Sequence, residues 1–334
     1  MAIYNDVFSI NAVYKLMVDG EWVTSPYVAT KPGELYGWFG GGLTPTATAS
    51  VDRITYASDT TTATTRGSLA ATRYAQAATG NGDYGWHGLG GPGPAPTSTT
   101  TRIDYANDGA SSTNRGIMTL ARMLPAATGT ANDGWWTNGA FPGTTYLTRV
   151  DRMTYATDTA TTSARGNMSV VKSRGAATTD TTTYGWFGGG YTRTPLAATS
   201  AVDRITYAND TATATARGPL AVGRTDLAAT GNFNYGWYGG GSVSGVLNTT
   251  YNRIDYASDA STALVRGTRA IGTYYPLATG TDSYGYWTGN GPSTSTYSTM
   301  IQRMTYATDT NATVSTGNLV TARQRGAATG GMIG

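Results

Sequence analysis

The sequence contains no cysteine and a single histidine, His87, among 334 residues. A chain without cysteine forms no disulfide and no thiolate metal site, and one histidine is too few for a histidine metal cluster. Glutamate is also scarce, because Glu21 and Glu34 are the only two and both stand near the amino terminus. The Asp/Asn turns offer oxygen ligands for a hard cation such as calcium but match no calcium-binding motif, so we predict no bound metal and no cofactor.

Charge and long apolar runs are also in short supply. Charged residues make up 13% of the chain, and the net charge is +3. This charge is too weak and too evenly spread to indicate a nucleic-acid partner. The opening MAIYNDVFSINAVYKLMVDGEW has no basic stretch followed by an apolar one, so we expect no signal peptide and no membrane span.

What the sequence does contain is a sixfold repeat. The segment DRITYASDT, which begins at Asp52, returns with small changes about 50 residues apart along the chain. A glycine- and aromatic-rich element such as YGWFGGG precedes each copy, and a Thr/Ala stretch ending in Arg-Gly or its equivalent follows it. The repeated arginines are Arg53, Arg102, Arg152, Arg204, Arg253 and Arg303.

Each repeat predicts four short strands. The Thr/Ala stretches alternate with period two, as strands do, and turn-forming Asp, Asn and Gly separate the segments. In DRITYAS we expect Ile54 and Tyr56 to pack on one neighbouring sheet and Arg53 on the other. Six such units predict an all-β, six-bladed β-propeller over residues 34–334, in which a strand from the carboxy terminus completes the first blade.

The repeats resemble the kelch repeat over roughly residues 34–334. The resemblance rests on the Gly-Gly pair that ends the second strand, a Tyr about a dozen residues later, and an Arg before the next first strand. It implies a kelch-like propeller with four strands per blade. The kelch pattern has its Trp in the fourth strand, whereas here the Trp precedes the glycines.

The segment DRITYANDTATATARGPL is similar to repeats in structural and tail proteins of cyanophages and other marine tailed phages. This resemblance implies a non-enzymatic virion component, made in the host cytoplasm and present in many copies per particle. Its partners would be other virion proteins and a glycan or protein of the host surface. A carbohydrate-binding propeller of a cell surface is the alternative.

Residues 1–33 lie outside the repeat and are predicted to form a separate segment with a small hairpin, since Asp19-Gly20 is a typical hairpin turn. One interpretation is an arm that docks the protein onto another virion protein, and the other is a cap on the propeller. The docking interpretation assigns the contact to Val13, Tyr14, Leu16, Met17 and Trp22.

The loops that follow the glycines differ between repeats, and so do the connections between blades. In a kelch-like propeller these two sets share one face, where recognition commonly lies. Tyrosine gives a large contact area at low entropic cost. Ordinary solvated aromatics are the alternative interpretation. The candidate binding residues are Phe141, Tyr146, Tyr191, Arg193, Tyr251, Tyr274 and Tyr297.

Residues that recur in every repeat are better explained by architecture than by catalysis. We expect each repeated Arg to satisfy carbonyls or an Asp within or between blades. The repeated aspartates are expected in turns, bonded to their own backbone, and no pair of carboxylates stands out for catalysis, so we predict no enzyme activity. His87 is interpreted as a strand residue in place of an aromatic. The repeated aspartates are Asp59, Asp108, Asp158, Asp210, Asp259 and Asp309.

Overall fold

The computed structural model describes residues 31–141, 145–289 and 296–330. These residues form six antiparallel four-stranded sheets, and the innermost strand of each sheet contacts the innermost strands of its neighbours. The protein is therefore a six-bladed β-propeller, as the repeat predicts. The proposed docking residues lie outside the described residues: Val13, Tyr14, Leu16, Met17 and Trp22.

Each blade runs outward from the axis as an inner, a second, a third and an outer strand. The inner strands are Ala327–Gly330 in blade 1 and Ala77–Gly80, Ala126–Gly129, Ala176–Thr179, Ala228–Gly231 and Leu277–Gly280 in blades 2 to 6. The second strands are Tyr36–Gly40, Tyr84–Gly88, Asp133–Thr137, Tyr184–Gly188, Tyr235–Gly239 and Tyr284–Thr288. The third strands are Val51–Thr55, Thr99–Asp104, Arg149–Thr154, Val202–Thr206, Thr250–Asp255 and Ser298–Thr305. The outer strands are Thr64–Arg66, Thr113–Ile117, Ser163–Asn167, Thr215–Arg217, Leu264–Thr268 and Val314–Arg323.

Helices are short in the described chain. One α-helical turn, Pro32–Leu35, leads into blade 1. A single 3₁₀ turn follows the third strand of each blade and begins at the repeated Tyr. These turns are Tyr56–Ser58, Tyr105–Asn107, Tyr155–Thr157, Tyr207–Asn209, Tyr256–Ser258 and Tyr306–Thr308.

The ring closes through blade 1. Its inner strand comes from the carboxy-terminal end, with Gly330 opposite Gly37 and Ala327 opposite Gly40 in antiparallel pairing. The other three strands of the sheet come from residues 36–66. Closing the sheet this way confirms the prediction that a carboxy-terminal strand completes the first blade, and it removes an exposed inner edge.

An aspartate holds each blade to the one before it. Between blades 4 and 5, the Asp259 carboxylate accepts hydrogen bonds from Trp186 Nε1 at 2.7 Å and Arg204 Nη1 at 3.0 Å. Arg217 Nε lies 3.4 Å from the same carboxylate oxygen, and the side chain of Asp259 is 8% exposed. The Gly218 amide donates to the Asp259 carbonyl at 2.9 Å. We call this set of contacts the inter-blade clasp.

Aromatic stacking completes the clasp. The ring of Tyr256 in blade 5 stacks on Trp186 in blade 4, with centroids 4.0 Å apart and planes 10° apart. The junctions between blades 1 and 2, 2 and 3, and 5 and 6 have the same stack with centroids 3.8 to 3.9 Å apart. Such a pair adds about 1 kcal/mol beyond the area it buries.

The tyrosine hydroxyls of the clasp reach the inner strands. Tyr155 exchanges a hydrogen bond with Thr79 at 3.1 Å, and Tyr306 does the same with Thr230 at 3.2 Å. Burial raises the pKa of both Tyr155 and Tyr306 above the ordinary value, because the phenolate would be desolvated. The neutral hydroxyl therefore links the wall of the central channel to the next blade.

The clasp confirms one expectation and corrects another. Arg53 pairs with Asp108 of blade 2, whereas Ile54 and Tyr56 pack towards blade 6, as the strand pattern predicts. The expectation that the repeated aspartates bond their own backbone is wrong for their side chains. The guanidinium groups of the preceding blade, together with its indole N–H or, at Asp59, the Tyr286 hydroxyl, offer charge-assisted bonds in a buried site, and these are stronger than a local turn contact. The correction applies to Asp59, Asp108, Asp158, Asp210, Asp259 and Asp309.

We predict that Asp259→Ala lowers the melting temperature by about 5 °C, which corresponds to a loss of about 3 kcal/mol. The substitution leaves the Arg204 and Arg217 guanidiniums and the Trp186 indole without their common acceptor. Thermal unfolding followed by circular dichroism measures the effect. Asp282→Ala removes an exposed carboxylate and serves as the control. Equal melting temperatures for the two variants would contradict a stabilising role for the clasp.

Candidate functional site

The two faces of the propeller carry different connections. Because strands in a blade alternate in direction, loops from second to third strands share one face with the connections between blades. We call this the loop face. The opposite face carries the turns between inner and second strands, and Lys31 lies there. Lys31 Nζ is 3.0 Å from Asp83 Oδ2, and the Gly33 amide donates to the Gly82 carbonyl at 3.0 Å.

Small hairpins rise from the loop face in blades 3, 4 and 5. In blade 4, Tyr191–Arg193 pairs with Leu196–Ala198 and also with Lys172–Ser173 of the preceding connection. In blade 3 the hairpin joins Ala140–Phe141 to Thr145–Tyr146, and in blade 5 it joins Ser242–Val243 to Val246–Leu247. Each hairpin is therefore supported by the connection between blades.

A cleft of ≈ 520 Å³ lies beside the hairpins of blades 4 and 5. Tyr191, Val222 and Val243 contribute to its walls. Two apolar side chains stand out in these hairpins, since Leu196 is 64% exposed and Val246 is 70% exposed. Exposed apolar side chains beside a cleft are typical of a surface that meets a partner.

Four of the predicted binding residues lie on the hairpins of blades 3 and 4. Phe141 is 44% exposed, and Arg193 is also exposed. Tyr146 and Tyr191 are half-buried, and the guanidinium carbon of Arg174 lies 5.8 Å from the centre of the Tyr191 ring. The structure therefore brings Tyr191 close to a basic side chain that the loop comparison did not select.

Two further predicted residues have different positions. Tyr274 is half-buried, and its hydroxyl donates a hydrogen bond to the Gly245 carbonyl at 2.6 Å, so it supports the hairpin of blade 5. Tyr297 is half-buried and immediately precedes the third strand of blade 6.

The prediction that Tyr251 contacts a ligand is wrong. Tyr251 belongs to the third strand of blade 5 and is fully buried, with its ring centre 4.6 Å from that of Trp287 in blade 6. Gly239 stands opposite Tyr251, and a Cβ atom at Gly239 would collide with the tyrosine ring. The loop of blade 5 ends earlier than the sequence comparison assumed, so Tyr251 is a core residue.

The central channel has a small-residue wall. Its cavity near the end away from the loop face measures ≈ 140 Å³ and is lined by Ala, Thr and Gly of the inner strands. The alanines are Ala78, Ala127, Ala177, Ala229, Ala278 and Ala328.

The loop-face end of the channel is narrowed by a collar of six residues with left-handed backbone. One residue from each connection contributes, and its φ lies between 47° and 61°. Their amides bond around the axis, since Ala75 donates to the Arg325 carbonyl at 2.7 Å and Leu124 donates to that of Ala75 at 2.7 Å. The bonds continue at 3.0 to 3.1 Å through the next three connections. The collar consists of Ala75, Leu124, Arg174, Asp226, Tyr275 and Arg325.

Four collar side chains meet at the mouth of the channel, and we call them the mouth cluster. Arg174 Nη1 lies 3.5 Å from Asp226 Oδ2 and 3.3 Å from the Tyr275 hydroxyl, and Arg325 lies over the Tyr275 ring at 3.9 Å. Burial raises the pKa of Asp226, although Arg174 and Arg325 oppose this shift. The sequence comparison noted that these connections vary, but it gave Asp226 and Arg325 no role.

His87 lies in the second strand of blade 2, as expected, and is fully buried against Gly40. Burial, together with the nearby Arg73 and Arg323, lowers its pKa to about 3. The imidazole is therefore neutral at physiological pH, and its interpretation as a packing residue remains the better one.

A second set of buried cations supports the loop face and was missed in the sequence. They stand four positions before the inner strand, and two of them have carboxylate partners at short distance. Arg122 Nη1 lies 2.6 Å from Asp151 Oδ2, and Arg323 Nη2 lies 2.8 Å from Asp52 Oδ2. The set comprises Arg73, Arg122, Lys172, Arg224 and Arg323.

Arg224 has no carboxylate partner within the described chain, because Asn252 occupies the position that Asp52 has in blade 1. Arg224 donates to the Thr250 carbonyl at 2.7 Å and to the Thr250 hydroxyl at 3.2 Å. Arg323 makes the same two contacts with Ser50 at 2.8 and 3.2 Å. The side-chain atoms of Asn252 are buried without a hydrogen-bond partner in the described residues.

Within the described residues, no three His, Cys, Asp or Glu side chains gather in a way that could hold a metal ion. No helix there is long and apolar enough to cross a bilayer.

Comparisons with known proteins add support for the fold alone. No protein-family model matches the sequence, and no curated protein matches it. The solved structure of YjhT is similar, with a TM-score of 0.63 over 78% of this chain and 88% of that chain. The two sequences are 11% identical, so the likeness concerns the fold.

We predict that Asn252→Asp raises the melting temperature at pH 7. The new carboxylate would pair with Arg224 as Asp52 pairs with Arg323, which is worth about 1 kcal/mol after desolvation. Pairing lowers the folded-state pKa, so the gain is present above about pH 4, the unfolded-state pKa, and disappears as pH falls through the folded-state value.

Thermal unfolding between pH 3 and pH 7 measures this effect. Asn234→Asp makes the same charge change at an exposed position and is the control. An unchanged or lower melting temperature for Asn252→Asp at pH 7 would show that Arg224 does not accept a carboxylate partner.

Proposed function

We propose that the protein is a non-enzymatic structural component of a virion that acts as a rigid binding scaffold. In this proposal, residues 1–30 attach the protein to other virion proteins, and the loop face contacts a second partner such as the host surface. The resemblance of the repeats to phage structural and tail proteins supplies the virion part of the proposal.

The observation that carries the proposal is that Lys31 and the hairpins of blades 3 to 5 lie on opposite faces of the described propeller. Lys31 is held on the face with the inner turns by Asp83, whereas the hairpins of blades 3 to 5 rise from the other face. Lys31, the first described residue, and the hairpins therefore lie on opposite faces of the described propeller. A propeller with two different faces can contact a partner on each, which suits a binding scaffold.

The uses of the charged residues support a non-catalytic role. The repeated Asp and Arg residues are occupied by inter-blade clasps, as in the pair of Asp259 with Arg204. The channel cavity is lined by Ala, Thr and Gly. These groups supply neither a nucleophile with a base nor a free carboxylate pair, which hydrolytic sites require.

The apolar hairpin residues support a contact surface. Leu196 and Val246 are the most exposed large apolar side chains in the described residues, and both belong to hairpins beside the cleft. The hairpins are braced by strand pairing with the connections between blades, and in blade 5 also by Tyr274. A braced apolar surface loses little entropy when a partner binds.

A carbohydrate-binding propeller is the second candidate, and one observation favours it. Tyr191 lines the cleft and lies near Arg174, so an aromatic face and a basic group are available together. The burial of Tyr251 removes the second aromatic residue on which this candidate relied. Glycan-array binding that Tyr191→Ala abolishes would support it.

We predict that a chain lacking residues 1–30 folds as a propeller but does not join particles. Deletion of residues 1–30 retains Lys31 and Gly33, whose contacts with Asp83 and Gly82 belong to the propeller. Tagged full-length and truncated chains would be supplied during particle assembly, and particles would be purified on a density gradient. We expect the full chain with the particles and the truncated chain in the unassembled fraction, with an unchanged melting temperature.

Other outcomes of this experiment have definite meanings. Absence of the full chain from particles would overturn the virion role. Equal incorporation of both chains would show that the attachment site lies on the propeller and not on the amino-terminal segment. Loss of folded structure in the truncated chain would favour the alternative in which the segment caps the propeller.

We predict that the double variant Leu196→Asp, Val246→Asp lowers adsorption of particles to host cells at least tenfold, because it places charges on the apolar contact surface. Adsorption is measured as the fraction of particles that sediment with cells. Val265→Asp and Val314→Asp together change two half-exposed valines on outer strands and provide the control. Equal adsorption for the two double variants would exclude the cleft hairpins as the contact surface.

A further inference from the structure

We propose that the mouth cluster binds a hydroxycarboxylate, with its carboxylate on Arg174 and Arg325 and its hydroxyl donating to Asp226. This site is distinct from the cleft beside the hairpins of blades 4 and 5. The inference rests on the collar geometry and the charges at the mouth, and it does not depend on the proposed role in a virion.

The side chains of the mouth cluster are not required by the fold. Equivalent positions in the clasp repeat the same residue, whereas the collar carries Ala75 and Leu124 on one side and polar side chains on the other. The backbone bonds of the collar involve amides and carbonyls and are made equally well by the alanine and the leucine. The concentration of Arg174, Asp226 and Arg325 on one side of the mouth therefore needs another explanation.

Hydrogen-bonding groups of the mouth cluster remain unused. Asp226 has a side chain that is 4% exposed, and the Thr225 hydroxyl is close enough to lower its pKa, but neither Asp226 Oδ1 nor the Thr225 hydroxyl has a hydrogen-bond partner of ordinary geometry in the described chain. Arg174 Nε is also buried without a partner there. The contacts of Arg174 at 3.3 and 3.5 Å are longer than ordinary hydrogen bonds. Buried unsatisfied groups are costly, so a ligand that completes them would bind favourably.

The charge of the mouth cluster favours an anionic ligand. Two guanidiniums and one carboxylate leave the cluster with one net positive charge, which matches a monoanion. Both Arg174 and Arg325 contact the same side chain, Tyr275, so one small ligand can reach both. A planar carboxylate suits guanidinium donors, and the free oxygen of Asp226 needs a donor from the ligand. A dianionic phosphate would instead face the Asp226 carboxylate and be repelled.

The mouth cluster is also preorganised for a small ligand. The cavity between these residues measures ≈ 70 Å³, which suits a small acidic unit rather than a large molecule. The collar bonds fix the backbone under each side chain, so little ordering is needed on binding. The acid could be a free hydroxy acid or the terminal acidic unit of a glycan, because both offer the same chemistry to the cluster.

Ligand-observed NMR titration of the full chain tests the proposal with matched probes. Lactate carries the carboxylate and the hydroxyl, propionate lacks the hydroxyl, and propane-1,2-diol lacks the carboxylate. We expect saturable binding of lactate, at least fivefold weaker binding of propionate, and none of the diol. D-glucuronate compared with D-glucose tests the glycan source: binding of glucuronate more tightly than lactate identifies a glycan unit, and the reverse identifies a free acid.

Variants locate the site. Arg174→Asn and Arg325→Asn each remove one guanidinium, and asparagine tolerates the left-handed backbone of the collar. Each is expected to weaken lactate and glucuronate binding at least tenfold, and circular dichroism checks that each variant remains folded. Lys31→Asn makes the same charge change at an exposed position on the opposite face and should leave binding unchanged. Asp226→Asn should reduce the difference in binding affinity between lactate and propionate.

Several results would overturn the proposal. These are the absence of saturable binding for both lactate and glucuronate, equal binding of D-glucose and D-glucuronate, or equal binding of inorganic phosphate and lactate. Full binding retained in both Arg174→Asn and Arg325→Asn would also overturn it. Since these two residues lie on different blade connections, misfolding of one variant leaves the other as an informative test.

Discussion

The inter-blade clasp is the interaction on which the rest of the structure depends. A blade of four short strands buries too little apolar surface to be stable alone, so each must bury its faces against two neighbours. The clasp fixes how they meet, because one buried carboxylate, such as that of Asp158, must be reached by Trp86 and Arg102 together. Leaving any of these groups unpaired is costly, and the angle between blades is therefore narrowly specified.

The junction between blades 6 and 1 differs from the other five. Asp59 accepts from the hydroxyl of Tyr286, where the other junctions have a tryptophan indole, and from Arg303 at 2.8 Å. Thr316 stands where the other outer strands have the second arginine. Tyr56 stacks on Tyr286 at 5.2 Å, which is looser than the tryptophan stacks. The ring is closed here by pairing of Ala327–Gly330 with Tyr36–Gly40, so strand hydrogen bonds supplement a weaker clasp.

Residues that repeat could be predicted from the sequence, and residues that do not repeat were predicted less well. The repeated pattern DRITYA was enough for the strands, for the outward order of the sheets and for the orientation of Arg53 and Ile54, because period-two alternation fixes the side of a strand. The assignment of Tyr251 failed because the point at which a loop becomes a strand depends on packing against Trp287 and Gly239. The left-handed collar could not be predicted either, because its positions do not carry the glycine or asparagine that commonly adopts this conformation.

The collar shows why variable chemistry is found at this end of the channel. A left-handed conformation costs a non-glycine residue about 1 kcal/mol, and here it recurs in all six connections. In this conformation the connections form backbone hydrogen bonds from blade to blade. These hydrogen bonds do not depend on the side chains, since Ala75 and Leu124 both form them. The side chains at these positions are therefore not needed to hold the blades together. The clasp residues cannot change without weakening the ring, whereas the collar and the hairpins can change their chemistry and keep the same fold.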